Sequence, residues 1–375
     1  MTSVGINLLW CLPGRVGGSE EYATRTLAPL RDVAPDLDVV LFVLPGFTTA
    51  HPGLADRFEV VVAPLSGSRR SLRVVAERTW MAREVRRRHL ALVHHGGGTA
   101  PPGTGPARVV LSVHDIQYVA FPQYFTTIKR AWLRHEMPGS LRRADVITTP
   151  TEFVRHSLIA DLGVDGARID LVPHGLPPDF ASGVIDEGAL RARYDVPGPF
   201  LLYPAATYPH KNHILLLDAL ARMGDRPDLR LVLTGGAGLG EESLLRVIHR
   251  RGLRDRVIRT GRVPDTDRDA LLRIADALVF PSRYEGFGAP VLEAMAVGTP
   301  VLAASATALP EVVGSAGLLL DPNDPDAWAD AIGRVLDDEA LRAQLVTAGR
   351  ARAAELTAER SAQALVRAYR KALVR

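Results

Sequence analysis

The sequence predicts an α/β protein built from two doubly wound domains. The chain has 375 residues and a mass of 40.6 kDa, more than one hydrophobic core usually serves. Short apolar runs alternate with helix-like stretches in each half, which is typical of parallel sheets covered by helices. Proline and glycine are concentrated in residues 176–199, so we place a domain boundary there and predict domains at 1–178 and 179–355.

The first half begins with an apolar run at residues 4–9, followed by a glycine-rich turn at 14–18 and a helical pattern at 19–30. This order predicts a strand, a loop and a helix. Further apolar runs, each predicting a strand of the same sheet, occupy residues 39–44, 60–62, 90–94, 109–113 and 146–149.

The second half repeats the pattern after a short predicted helix at 187–194. Its predicted strands are residues 200–203, 229–234, 257–260, 277–280, 301–303 and 318–320, and residues 326–375 are almost wholly helical in pattern. Ligands of open α/β sheets bind at the carboxyl ends of the strands. We therefore expect the functional residues in the loops that follow these runs.

Composition excludes several classes of protein. The net charge is only +3, which gives no broad positive field for nucleic acid. Cys11 is the single cysteine, so neither an internal disulfide nor a cysteine-based metal site is expected. No apolar run reaches the roughly 20 residues of a spanning helix, and the amino terminus lacks a signal-peptide pattern. We expect a soluble, cytoplasmic protein.

The most informative segment is residues 280–296, which follows a predicted strand and opens a predicted helix. Gly286 and Gly288 allow close backbone approach, and the free N–H groups of a helix start favour an anion such as a diphosphate. Glu293 lies about two turns into the predicted helix, where its carboxylate could accept hydrogen bonds from a sugar diol. Glu285 precedes the helix, and we expect it to be free to point into a cleft.

This segment resembles the signature of the retaining family 4 glycosyltransferases of GT-B fold, in which two glutamates stand eight positions apart around a glycine-rich turn. The resemblance implies two Rossmann-like domains with an interdomain cleft. It also implies that the terminal helix, residues 356–375, packs back onto the first domain. Other stretches in the family's order are Gly17-Gly18-Ser19-Glu20, His114-Asp115, Thr151-Glu152-Phe153, Val172-Pro173-His174-Gly175, Pro209-His210-Lys211-Asn212, Gly235-Gly236 and Asp321-Pro322.

The resemblance implies catalytic roles for three residues. Lys211, one of only three lysines, would offset charge on the departing nucleoside diphosphate, where stabilisation of the transition state counts. Glu285 would accept hydrogen bonds from the donor sugar. His114 could be a general base by residue type. In the family's reaction, however, the acceptor attacks the face of the sugar that the phosphate leaves, and the departing phosphate takes the acceptor's proton. The resemblance therefore implies that His114 positions the sugar and that Asp115 orients His114.

The remaining implied contacts surround the nucleotide sugar and the acceptor. Glu293 would hold the ribose, and the amides of Gly286, Phe287 and Gly288 would face sugar and phosphate. Where the family usually carries an arginine, five residues before the lysine, this chain has Ala206; Arg283, Arg262 or His210 would then substitute. The other donor-site residues are Gly235 and Gly236, and an acceptor or phosphate loop would contain Gly17, Gly18 and Asp115.

The implied function is retaining transfer from GDP-mannose or a UDP- or TDP-sugar to a hydroxyl of a glycan, a lipid-linked glycan or a secondary metabolite. The motifs look most like bacterial mannosyl- or rhamnosyl-type enzymes, and no metal or other cofactor is implied. Three alternatives stay open: a GT-B sugar-nucleotide epimerase or hydrolase, a non-catalytic sugar-nucleotide-binding partner subunit, and an NAD-dependent oxidoreductase. The last is disfavoured because residues 235–240 miss the spacing Gly-x-Gly-x-x-Gly.

Two charged segments have a simpler structural interpretation. The stretch from Arg69 to Arg88 is rich in arginine and could touch an anionic membrane at the inner face, but we favour a solvated helix face around core residues. Asp265-Thr266-Asp267 resembles a metal-binding Asp-x-Asp, but it follows Pro264 and precedes a predicted helix, so we expect it to cap that helix.

Overall fold

The computed structural model describes residues 1–375, which form thirteen strands and eighteen α-helices. The strands are β1 Thr2–Asn7, β2 Leu37–Val43, β3 Glu59–Val62, β4 Leu92–His95, β5 Arg108–Ser112, β6 Val146–Thr149, β7 Ile169–Leu171, β8 Phe200–Pro204, β9 Arg230–Thr234, β10 Val257–Gly261, β11 Ala277–Phe280, β12 Val301–Ala304 and β13 Leu318–Leu320. The helices are α1 Gly18–Leu27, α2 Leu30–Val33, α3 Phe47–Ala50, α4 Pro52–Arg57, α5 Arg70–Ala76, α6 Ala82–Arg87, α7 Gln117–Ala120, α8 Thr127–Arg143, α9 Glu152–Leu162, α10 Glu187–Tyr194, α11 His213–Arg222, α12 Glu241–Arg250, α13 Asp265–Ile274, α14 Ala289–Val297, α15 Leu309–Val313, α16 Pro325–Asp337, α17 Glu339–Glu355 and α18 Ala358–Leu373.

The chain divides into two compact units, each built on one parallel sheet. The amino-terminal unit contains Met1–Pro177 and Thr357–Arg375, and the carboxyl-terminal unit contains Pro178–Leu356. The sheet orders are β3-β2-β1-β4-β5-β6-β7 and β10-β9-β8-β11-β12-β13. In both, the first three strands proceed to one edge of the sheet and the fourth pairs on the other side of the first, which is the doubly wound order of Rossmann-like folds. The prediction of two Rossmann-like α/β domains is therefore confirmed.

The interior strands are buried on both faces. Every residue of β4, β6, β11 and β12 is buried, as expected for parallel strands covered by helices on both sides. The sequence pattern does not predict strand β7, because the strand has three residues and Asp170 interrupts its apolar pattern. The predicted helix 19–30 is interrupted before Leu30 by Pro29, which has no N–H to continue it.

Helix α18 packs in the core of the amino-terminal unit. Tyr369, Ala362 and Leu365 of this helix are buried in one cluster with residues of the first strands. The hydroxyl of Tyr369 lies 2.8 Å from Nδ1 of His94 in β4, whose Nε2 lies 2.8 Å from Oγ of Ser112 in β5. A buried chain of polar contacts thus fixes the position of the helix against the sheet.

The arginine-rich stretch 69–88 forms α5, a π-helical turn at Glu77–Met81, and α6. Several of its arginines bond to protein groups: Arg78 pairs with Glu136 at 2.5 Å, and Arg88 pairs with Glu59 at 2.6 Å. These pairs support its interpretation as part of the folded surface.

The buried histidines make the stability of the protein depend on pH. Burial lowers the pKa of His94 and of His95 from 6.5 to about 3, so the unfolded chain takes up protons that the folded chain does not. The contribution of these two histidines to stability is complete above about pH 6.5 and decreases as the pH falls toward 3. For His94→Gln, we expect the slope of unfolding free energy between about pH 6 and 4 to be shallower by up to about 1.4 kcal/mol per pH unit.

Denaturant unfolding at fixed ionic strength measures this slope. His156→Gln is the control, since the His156 side chain is 72% exposed and should leave the slope unchanged. A His94→Gln slope equal to that of the unsubstituted protein would contradict the assignment.

Candidate functional site

The topological switch point of the carboxyl-terminal unit lies between β8 and β11, which are neighbours in the sheet. Ligands of doubly wound sheets bind where the loops of two such strands diverge. The loop after β8 contains Lys211, and the loop after β11 contains Glu285, Gly286 and Phe287. The fold therefore brings the two sequence-predicted loops to the place where a ligand is expected.

Lys211 and Glu285 form an ion pair at this point. The ammonium Nζ donates to Oε1 of Glu285 at 2.6 Å, with the two side chains 20% and 13% exposed. The same Nζ lies 6.0 Å from the ring centroid of Phe280, and the hydroxyl of buried Tyr203 donates to the carbonyl of Lys211 at 2.7 Å. The expectation that Glu285 is free is wrong: its carboxylate is attracted by the one cation on the neighbouring loop.

Hydrogen bonds connect the loop that carries Lys211 to the loop that carries Glu285. Asn212 has a left-handed backbone, with φ of 58°, which asparagine tolerates better than most residues. Its Nδ2 donates to the carbonyls of Pro281 at 3.2 Å and Pro322 at 2.8 Å, and the amide of Arg283 donates to the carbonyl of His210 at 2.8 Å. Asn212, which follows Lys211 in the motif Pro209-His210-Lys211-Asn212, fixes the loop that carries the lysine; the sequence motif does not indicate this role.

The second glutamate lies nearer to the start of its helix than expected. Helix α14 begins at Ala289, so Glu293 stands just over one turn from the start, not two, because Gly288 is the N-cap with φ of 93°. The φ of 93° is a conformation that favours glycine, and a Cβ on Gly288 would also lie 2.6 Å from Cδ2 of Leu309. Glu293 is 2% exposed, so it is not a solvated surface glutamate.

The glycine pair after β9 lies beside the loop of β8. Gly235, with φ of 128°, donates its amide to the carbonyl of Gly261 at 2.8 Å, and a Cβ on it would lie 2.6 Å from the backbone of Ala205. Gly236 accepts from the amide of Thr207 at 3.2 Å. Arg262 follows Gly261 and is exposed. These residues therefore lie at the same edge of the sheet as Lys211.

Of the three candidates to replace a cation at Ala206, His210 is the one whose surroundings disfavour a positive charge. Burial, with the charge of Lys211, lowers the pKa of His210 from 6.5 to about 3, so this imidazole is neutral near pH 7 and supplies no positive charge. Arg262 and Arg283 are exposed and keep guanidinium groups at this edge. Both arginines stand on loops that follow strands of the carboxyl-terminal sheet.

His114 follows β5 in the amino-terminal unit. Its Nε2 lies 2.9 Å from the carbonyl of Gly96, and a carbonyl only accepts, so the proton is on Nε2. Burial lowers the pKa of His114, which keeps the ring neutral and leaves Nδ1 as a hydrogen-bond acceptor. The ring of Tyr22 meets it edge-on at 5.1 Å, and Tyr22 stacks on His174 at 4.3 Å. This arrangement fits a positioning group better than a base.

The neighbouring candidates have local structural contacts. Oδ1 of Asp115 accepts from the amide of Gln117, the first residue of α7, at 2.9 Å, and its charge acts to raise the pKa of His114 against the larger effect of burial. Gly17 is the N-cap of α1 with φ of 72°, and Gly18 is its first residue. The glycine loop is held by Glu20, whose Oε2 accepts from the amide of Gly14 at 3.0 Å and whose Oε1 lies 2.9 Å from His51 Nε2.

The acidic pair at 265 and 267 lies in the first turn of α13, whose N-cap is Pro264, so the capping prediction is wrong in detail. Asp267 accepts from Arg193 at 2.8 Å and from the hydroxyl of Tyr194 at 2.5 Å. In residues 1–375 no group of three or more His, Cys, Asp or Glu side chains is arranged to hold a metal ion. No helix has both the length and the apolar character needed to cross a bilayer.

Two family models match the chain, one for most of each unit. The model described as Glycosyltransferase Family 4 matches residues 16–180, and the model described as Glycosyl transferases group 1 matches residues 191–352.

Known proteins show the same relationship. O-antigen chain mannosyltransferase B of Escherichia coli is 34% identical over 268 residues, which cover 70% of this chain and 70% of that protein. D-inositol 3-phosphate glycosyltransferase of Xylanimonas cellulosilytica is 33% identical over 248 residues, which cover 62% of this chain and 58% of that protein, less than two thirds of its length. HepE of Anabaena, solved in complex with UDP, superposes with a TM-score of 0.76 at 22% identity, over 99% of this chain and all of that one. That last similarity concerns the fold.

Proposed function

The chain belongs to glycosyltransferase family 4, and from this premise we propose that it transfers a sugar from a nucleoside-diphosphate sugar to a hydroxyl acceptor, with the anomeric configuration retained. The observation that carries the proposal is the Lys211–Glu285 pair, at 2.6 Å, on the two loops of the switch point. The bond to be broken joins a sugar to a phosphate. At this point of the fold a cation lies beside a carboxylate, so the cation can bind the phosphate and the carboxylate can bind the sugar.

The bond between the anomeric carbon and the β-phosphate oxygen breaks while negative charge grows on the diphosphate. The ammonium of Lys211 stabilises that charge more in the transition state than in the ground state, which is the condition for raising kcat. The amides at the start of α14 face the same anion, and Arg262 and Arg283 supply further positive charge. Glu285 accepts hydrogen bonds from the donor sugar, and buried Glu293 accepts them from the ribose.

The acceptor oxygen attacks from the face that the diphosphate leaves, and its proton passes to the departing phosphate oxygen. Retention follows because the new bond forms on the same face as the old one. In this reaction His114 does not act as a base: its Nδ1 accepts a hydrogen bond from a sugar hydroxyl. The amino-terminal unit, with Gly17 and Gly18, binds the acceptor. No metal or other cofactor takes part.

We propose GDP-mannose as the first donor to test, supported by the similarity to a mannosyltransferase, with UDP- and TDP-sugars as the next candidates. The acceptor class is a glycan, a lipid-linked glycan or a secondary metabolite hydroxyl. We propose action in the cytoplasm. Membrane contact through the segment from Arg69 to Arg88 is not part of the proposal, since Arg78 and Arg88 pair with Glu136 and Glu59.

A thermal-shift panel tests the proposal, with GDP, UDP, TDP, ADP, NAD and the sugar conjugates, each with magnesium and with EDTA. We expect one nucleoside diphosphate to raise Tm equally in both conditions, since a ligand at 100 times its Kd stabilises by about 2.7 kcal/mol. The matching sugar conjugate is then incubated with acceptors, and NMR of the product gives the anomeric configuration.

The same panel separates the alternatives. A shift with NAD alone would overturn the proposal in favour of an oxidoreductase. Consumption of the donor without any acceptor would identify an epimerase or hydrolase. Donor binding without turnover across an acceptor library would identify a non-catalytic subunit, and an inverted product would overturn the retaining mechanism.

A further inference from the structure

Thr307 has a backbone conformation that its residue type disfavours. Its φ is 51°, in the left-handed region, where a β-branched side chain crowds the backbone. Four other non-glycine residues of the chain have positive φ, namely His89, Ala181, Asp195 and Asn212, and none of them is β-branched. Strain of this kind persists only where the surroundings impose it, and it is concentrated at functional sites.

The strained residue is bonded to the site. Thr307 lies in the turn between β12 and α15, and β12 is the neighbour of β11 in the sheet. Its Oγ1 accepts a hydrogen bond from the amide of Glu285 at 3.0 Å, and Glu285 is the residue whose carboxylate pairs with Lys211. Thr307 thus contacts the backbone of the loop at the point where the carboxylate is attached.

A second contact connects the same turn to the glycine cradle. Cδ2 of Leu309, two residues after Thr307, occupies the space that a Cβ on Gly288 would need, at 2.6 Å. The segment 307–309 therefore supports both ends of the loop 285–288: the amide of Glu285 at one end and Gly288 at the other.

We propose that Thr307 is a positioning residue for the transfer reaction, and that its hydroxyl holds Glu285 where the carboxylate meets both the donor sugar and Lys211. Glycine would adopt this backbone without strain, so the gain from threonine is the hydroxyl, which is the atom that reaches the amide of Glu285. The inference rests on the proposed function, because Glu285 matters only if a sugar binds beside it.

Three variants separate the hydroxyl from the strain. Thr307→Ser keeps the hydroxyl and removes the branch; Thr307→Val keeps the branch and the strain but loses the hydroxyl; Thr307→Gly loses both. We expect the valine and glycine variants to lose kcat by about tenfold, the loss associated with one hydrogen bond in a reacting complex, and the serine variant to stay within about threefold of the unsubstituted enzyme. Thr307→Gly should have a higher Tm than Thr307→Val, because it relieves the strained φ.

The test therefore compares the change in kcat of each variant with the changes in its Tm and in its Kd for the nucleoside diphosphate. The proposal is supported if the valine and glycine variants differ in Tm but share the loss of kcat, with the Kd for the nucleoside diphosphate unchanged. It is overturned if kcat follows Tm across the series, if Thr307→Val keeps full kcat, or if nucleotide affinity falls together with kcat. Should the valine variant not fold, the glycine and serine variants carry the same comparison.

Measurements on the unsubstituted enzyme distinguish a failure of the proposed function from a failure of the role assigned to Thr307. If it neither binds nor turns over any nucleotide sugar, the proposed function fails and this inference fails with it. If it transfers sugar and the variants lacking the hydroxyl transfer equally fast, the proposed function stands and the role of Thr307 alone is wrong.

Discussion

Replacement of Lys211 by alanine is expected to lower kcat by about 10²–10³-fold, the effect of removing one preorganised group that stabilises a developing anion. The cause is specific to the site. Lys211 is the one lysine of the carboxyl-terminal unit, and its ammonium is fixed beside Glu285 and Phe280, so no neighbouring flexible lysine can replace it. Steady-state kinetics with the donor identified by the binding panel measure the effect.

Lys129→Ala is the matched control, because Lys129 is an exposed lysine of α8 that lies over the ring of Phe125. It should retain the kcat of the unsubstituted enzyme. Lys211→Arg should recover only part of the activity, since the planar guanidinium carries the charge with a different geometry. Full activity of Lys211→Ala would remove the lysine from the mechanism.

Glu293→Gln is expected to raise the Kd for the nucleoside diphosphate at least about tenfold, because a hydrogen bond to a charged group contributes about 1.5–3 kcal/mol and the amide replaces one carboxylate oxygen by a donor. The substitution keeps the volume of a side chain that is 2% exposed, so packing within α14 is preserved. Isothermal titration with the diphosphate, without the sugar, isolates this contact from the chemistry.

Glu242→Gln is the control: Glu242 lies in α12 of the same unit, and its side chain is 85% exposed. Its nucleotide affinity should be that of the unsubstituted protein. A Glu293→Gln protein that is folded by circular dichroism and binds the diphosphate with unchanged Kd would show that Glu293 serves the fold and not the ligand.

Much of the fold could be predicted because its signals are local. Each apolar run of the carboxyl-terminal half is a strand whose ends lie within one residue of the predicted ones, and helix 187–194 has the predicted bounds. Strand β7 could not be predicted, since its three residues carry too little pattern. Nor could the contact of Tyr369 with His94, because it joins residues 275 positions apart and no periodicity reports such a pairing.

The candidate site shows the same division. The motifs named the residues Lys211 and Glu285, but not their ion pair, which spans 74 positions. They also could not reveal Thr307, whose hydroxyl reaches the amide of Glu285 from another loop. The protonation states of His210 and His114 could not be predicted either. Burial lowers the pKa of both imidazoles, and the burial of a single side chain cannot be read from the sequence.

The last helix also has a consequence for how the protein is made. Since α18 belongs to the core of the amino-terminal unit, that core lacks a component until residues 358–373 leave the ribosome. Residues 178–356 are synthesised in between, which takes about 10–35 s at ~5–20 residues per second. The carboxyl-terminal unit is one uninterrupted segment and can be completed first. The unit whose synthesis begins first is therefore the last to complete its fold.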